Sequence, residues 1–151
     1  MRMSIARDDE RLEGPGIPRS LTRKQVQDLL RRGRSLQDAD LRGANLTGLD
    51  FAGADLRDAK LAEADLSNCS FRGADLRGAS LWKANLRNVV FEKTRLEGAD
   101  MDFAHLDGAS FLGARLKKTI LPMDRMNMAD VEESVRRGSP VRMQNVSDED
   151  E

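Results

Sequence analysis

The chain has 151 residues, 34% of them charged, with 25 Lys and Arg balanced by 26 Asp and Glu. A net charge of −1 provides no global attraction to nucleic acid or to an anionic membrane. Aromatic residues are only 4% and Tyr is absent, which excludes a core built from large rings; the lone Cys69 excludes an internal disulfide framework and a zinc site built on cysteines.

The charge is unevenly spread. Residues 1–35 carry 9 basic and 5 acidic side chains, residues 36–121 carry 12 and 13, and residues 122–151 carry 4 and 8. The first thirty residues contain no apolar run of signal-peptide length, and no stretch approaches a membrane span, so a cytoplasmic location is the default expectation. Residues 1–20 contain Pro15, Pro18 and mixed charge, and read as a disordered segment. A helix is expected within residues 21–34. Thr22 and Gln25 form a capping box, Leu21 and Val26 occupy the staple positions, and Val26, Leu29 and Leu30 make one apolar stripe that Gly33 terminates.

From Leu36 to Leu121 every fifth residue is large and apolar: 13 Leu, 4 Phe and Met101 in 18 consecutive positions, with no slip. Two residues before these centres, 12 of the 18 positions are Ala; the exceptions are Arg34, Leu49, Cys69, Val89, Thr94 and Thr119. A period of five fits neither an α-helix nor a flat strand. It fits a coil that turns a corner every five residues, with the centre and the residue two before it pointing inward and the other three outward. Phe51, Phe71, Phe91 and Phe111 recur every 20 residues, so four pentapeptides per turn would stack them in one column. Successive coils would then lie about 4.8 Å apart as parallel neighbours. Residues 35–122 are expected to form this array.

The C-terminal flank repeats the helix grammar within residues 123–138, with Asn127 as N-cap, Met126 and Val131 as staple, and Gly138 as stop. Both helices read as covers for the open ends of the array, whose apolar core and strand edges would otherwise be exposed. Residues 139–151, ending in Asp148, Glu149, Asp150 and Glu151, read as an acidic disordered tail.

The unbroken A(D/N)LxG pattern, seen as ADLRG from Ala39 and ANLTG from Ala44, resembles the pentapeptide-repeat family over residues 36–121. The resemblance implies an all-β fold, a right-handed quadrilateral parallel β-helix, here with short capping helices at both ends. Known members include gyrase-protecting quinolone-resistance proteins that look like DNA, and type III effectors. A DNA mimic should be strongly acidic along its length, since duplex DNA carries one charge per roughly 1.7 Å. This array is close to neutral and stacks Arg57 under Arg77 and Arg95 under Arg115. That makes a mimic acting on gyrase or topoisomerase the alternative reading rather than the first. An effector role is weaker still.

Catalytic signals are sparse. His105 is the only histidine and faces outward; Cys69 faces inward as a small hydrophobe; glycines mark corners rather than a phosphate loop; the aspartates lack calcium-loop spacing. No enzymatic activity, cofactor or metal is expected. Charged residues 20 apart are expected to pair between coils: Asp75 with Arg95, Arg77 with Glu97, Glu63 with Lys83, Arg72 with Glu92, and Arg87 with Asp107.

Trp82 and Phe103 break the outward pattern on one side of the coil. Neither can reach the core from its place in the pentapeptide, and exposed Trp is enriched at binding hot spots. The expected contact face comprises Trp82 and Phe103 with Lys60, Ala62, Glu63, Lys83 and Asp102, and Lys83 is placed to stack on Phe103. The competing expectation is that the Met-rich segment from Pro122 to Val135 folds over both rings. The sequence thus reads as a non-catalytic interaction or scaffold module with an unidentified protein partner. A homodimer is one candidate, with no direct nucleic acid or membrane contact.

Overall fold

The computed structural model describes residues 20–144. The expected disorder of residues 1–20 lies outside them except at Ser20, as does the acidic end from Asn145 onward. Thirteen parallel bridges join residues 20 apart, from Asp40 with Lys60 to Asp100 with Ile120. Four pentapeptides therefore make one coil, and each coil lies in register on the last. The sides are named here by their central residues: the Leu76 side, the Leu81 side, the Leu86 side and the phenylalanine side.

Corners explain the period. In every pentapeptide from Leu36 to Leu116, the residue two after the centre has φ between +56° and +81°. Eight of these residues are Gly and nine are not. A β-turn closes each corner, as where Ala79 N–H donates to the Leu76 carbonyl at 3.0 Å. Between corners only about three residues are extended, so the sheets of the coil are ladders of single-residue bridges. The ladder is regular. Leu76 N–H donates to the Arg95 carbonyl (2.8 Å), Gly78 N–H to Glu97 (3.1 Å), and Arg95 N–H returns to Ala74 (3.0 Å).

The interior follows the register. Phe51, Phe71, Phe91 and Phe111 are fully buried and stack with centroid spacings of 4.8, 5.7 and 5.0 Å and interplanar angles no greater than 12°. Three of the positions that replace Ala carry a thiol or hydroxyl, and each finds the same acceptor. Cys69 Sγ–H, Thr94 Oγ1–H and Thr119 Oγ1–H donate to the carbonyls of Leu46, Phe71 and Leu96, each 23 residues earlier. Burial is tolerated because the group is satisfied.

The recurrent Asp or Asn before each centre has a local purpose. Its side-chain oxygen accepts the N–H two residues on, as at Asp40 to Arg42, Asn45 to Thr47, Asp55 to Arg57 and Asp75 to Arg77. Residues flanking a centre share one face, so an Arg at the second position also grips the same carboxylate. Arg42, Arg57 and Arg77 each bind it through both Nε and a terminal nitrogen. This corrects the expected pairing between coils. Of the expected pairs, among the described residues only Arg72 and Glu92 meet, at 2.9 Å, while Arg57 reaches Asp75 of the next coil at 3.9 Å. Asp75 is held by Arg77 of its own pentapeptide rather than by Arg95, because the nearer partner also completes the turn.

The ends are closed by two helices, α1 (Arg23–Arg31) and α2 (Met128–Arg137). Thr22 and Gln25 form the capping box of α1, Val26 is fully buried, and Gly33 follows the helix at φ +67°. Leu21 N–H donates to the Asp40 carbonyl (2.8 Å), copying the coil register one step below the array. Asn127 caps α2, Val131 is buried, and Gly138 ends it in the left-handed region. Both helices are shorter than their expected spans. Residues 122–125 form a turn, with Arg125 N–H donating to the Pro122 carbonyl.

The tail expectation also changes. Val141 is buried and exchanges bonds with Gly108 and Ala109, Met143 N–H donates to Asp107, and Gln144 N–H donates to the Arg125 carbonyl. Residues 139–144 therefore cover the last coil. The unpaired N–H groups of that coil draw the chain back across it.

Two outcomes are expected. Leu76→Ala, deep in a middle coil, should lower the unfolding free energy by about 2–5 kcal/mol in urea titration. Cys69→Ser should be close to neutral by comparison, since the hydroxyl inherits the Leu46 acceptor. The carboxylates give the pH dependence. The side-chain bond from Arg42 lowers the Asp40 pKa to about 2, and Arg77 likewise lowers that of Asp75. Both groups hold protons less readily when folded. Their contribution is complete above the unfolded pKa of about 4 and fades as pH falls through the folded values. Unfolding free energy should therefore drop between about pH 4 and 2, and Asp40→Asn with Asp75→Asn should flatten the slope while keeping the turns. An unchanged slope would contradict the clamp assignment.

Candidate protein-contact face

The Leu81 side is built differently from the others. At the position after each centre it presents Arg42, Ala62, Trp82 and Asp102, and at the corner Gly43, Glu63, Lys83 and Phe103. The rings stand one coil apart with centroids 6.2 Å from each other at 82°, an edge-to-face pair. Trp82 is 36% exposed and Phe103 54%. The charges around them are mixed in sign: Lys60, Glu63 and Lys83 are exposed, Asp102 is half-buried, and Ala62 is half-buried one coil below the indole.

The expected roles need one revision. Lys83 Nζ lies 4.6 Å over the Trp82 ring, not over Phe103. The corner directs the Lys83 backbone into the left-handed region at φ +58°, and the adjacent indole is the ring its side chain can reach. Phe103 itself adopts φ +61°. For a bulky residue this conformation costs about 1–2 kcal/mol. Asp102 accepts the Phe103 N–H through Oδ1 at 3.1 Å, where Gly98 or Lys83 in the same setting donates to a carbonyl of the next coil.

The Met-rich cover does not lie where it was expected to compete. Helix α2 sits on the end of the array, with the Val135 carbonyl accepting Gly113 N–H and Ser134 Oγ accepting Phe111 N–H. Both rings retain their exposure. Periodicity alone did not point to Ile120, 50% exposed, which bridges to Asp100 and extends the apolar surface one coil above Phe103. Its signal was an apolar residue at a position otherwise held by Asp, Lys or Ser on this side.

Elsewhere the chemistry is subdued. Burial, reinforced by Arg87 and Arg125, lowers the His105 pKa. Burial raises the Cys69 thiol to about 11, which disfavours the thiolate. Among the described residues no group of three or more His, Cys, Asp or Glu is arranged to hold a metal ion, and no helix is long and apolar enough to cross a membrane.

Eight copies of the family described as pentapeptide repeats match residues 35–73, 54–92, 69–102 and 84–121. No curated protein matches the chain. Among solved structures it is similar to the pentapeptide repeat protein Rfr23 from the cyanobacterium Cyanothece 51142, at 34% identity and a TM-score of 0.55. That match covers 56% of this chain and 58% of Rfr23, so the chain spans a little over half of that relative. It is also similar to alr5209, a pentapeptide repeat protein from Nostoc PCC 7120, at 27% identity and a TM-score of 0.51, covering 68% of this chain and 78% of that one. QnrB1, a plasmid-mediated fluoroquinolone resistance protein, is 26% identical over 57% of this chain and 45% of its own, with a TM-score of 0.30 that carries no argument about function. The unbroken register, the coil of four pentapeptides and the matched repeats agree: this chain belongs to the pentapeptide-repeat family.

Proposed function

We propose that the protein is a non-catalytic interaction scaffold that docks a protein partner on the Leu81 side, with Trp82 and Phe103 as anchors. The carrying observation is Phe103, half exposed at a corner where its backbone is strained and glycine would fit better. A ring kept in that position contributes little to the core, and contact with a partner gives it a use. The array in this reading is a right-handed β-helix that holds the face rigid.

A second copy of this chain is the first candidate partner. Lys60 and Lys83 lie beside Glu63 and Asp102 around the rings, so a two-fold contact can set opposite charges against each other. The gyrase-directed reading has less support, because Arg42, Arg57 and Arg77 neutralise the carboxylates that a DNA mimic would display.

Phe103→Gly separates a contact role from a structural one. It should leave the fold as stable or raise the unfolding free energy by about 1 kcal/mol, as relief of a left-handed residue predicts. It should also weaken self-association at least tenfold in sedimentation equilibrium. Loss of stability comparable to that of a core truncation would assign the ring to the fold and end this proposal.

A further inference from the structure

The C-terminal end of the array is covered unevenly. On the Leu86 side Leu106 N–H donates to Met143 Sδ and Gly108 N–H to the Val141 carbonyl. On the phenylalanine side Phe111 N–H donates to Ser134 Oγ and Gly113 N–H to the Val135 carbonyl. On the Leu76 side the corresponding Leu116 and Lys118 N–H groups and the Ala114 carbonyl have no partner among the described residues. Beside them a groove of about 510 Å³ opens between the last coil and α2, lined by Leu116, Met128, Val131 and Val135, among others. Met128 is 46% exposed there, and Glu132 is the single acid of the lining.

We propose that this edge binds an extended peptide of the form acidic–apolar–acidic, which adds one further rung to the coil. The rung below shows how the backbone would pair. Leu96 N–H donates to the Arg115 carbonyl (2.9 Å), Gly98 N–H to the Lys117 carbonyl (3.1 Å), and Arg115 N–H donates to the Thr94 carbonyl (3.0 Å). One rung higher, Leu116 and Lys118 donate to two peptide carbonyls, and Ala114 accepts a peptide N–H. The register places the middle side chain inward over Leu116, against Val131 and Val135. The two flanking side chains point outward above Arg115 and Lys117, both exposed, with Lys118 and Arg136 nearby. Carboxylates at those two positions complement the charge, while the backbone bonds and the apolar pocket supply affinity and register. This surface is separate from the ring pair on the Leu81 side, so either assignment can fail without the other.

The test uses the full chain and a fluorescein-labelled peptide, Ser-Gly-Glu-Leu-Asp-Gly-Ser. The proposal expects saturable binding by anisotropy, with amide shifts at Leu116 and Lys118 in the labelled protein. Arg115→Glu combined with Lys117→Glu should weaken binding at least tenfold, and a peptide carrying Lys at both flanks should recover it. Absent binding, affinity unaffected by the charge reversal, or binding that leaves both amides unmoved would overturn the proposal. Binding seen only after Asp148, Glu149, Asp150 and Glu151 are changed to Asn and Gln would also overturn it, in favour of the chain's own acidic end as occupant.

Discussion

The left-handed corner is the constraint on which the rest of this molecule depends. Without a residue at positive φ in every pentapeptide the chain would run on as a strand, and coils 20 residues apart could not meet. Glycine supplies the conformation at no steric cost, and Asn or Asp tolerates it. The carboxylate or amide before each centre then fixes the approach to the corner by accepting the N–H two residues on. Local turn chemistry and long-range bridging thus select one backbone together, and the apolar column fills the space they enclose.

The array was legible because its signal repeats. A five-residue register kept over 18 centres gave the inward positions, and the 20-residue spacing of the phenylalanines gave the coil. The Phe stack and the burial of Cys69 follow from that register alone. What the sequence concealed was the choice between two neighbours for one charge. Asp75 has Arg77 within its pentapeptide and Arg95 one coil above, and only the geometry of the turn decides for Arg77. Residues 139–144 were hidden for a related reason. Their pairing answers unpaired groups on the last coil, which periodicity does not reveal.

Of the proposed contact face, Trp82, Phe103 and their surrounding charges were readable as departures from a strict pattern. The side-chain choices were not. Lys83 lies over the indole, and Phe103 meets Trp82 edge-on, because both corner residues take the left-handed backbone. A regular scaffold makes such departures informative: where neighbouring corners carry Gly or charged residues, a strained and exposed aromatic is not required by the fold.

Trp82 is the only tryptophan, so its fluorescence reports directly on the face. The decisive measurement is its emission maximum followed from dilute to concentrated protein. Docking through this surface predicts a solvent-exposed indole in dilute monomer and a blue shift as copies associate or a partner is added. A blue maximum already present in dilute monomer, and unmoved by concentration or partner, would contradict the account.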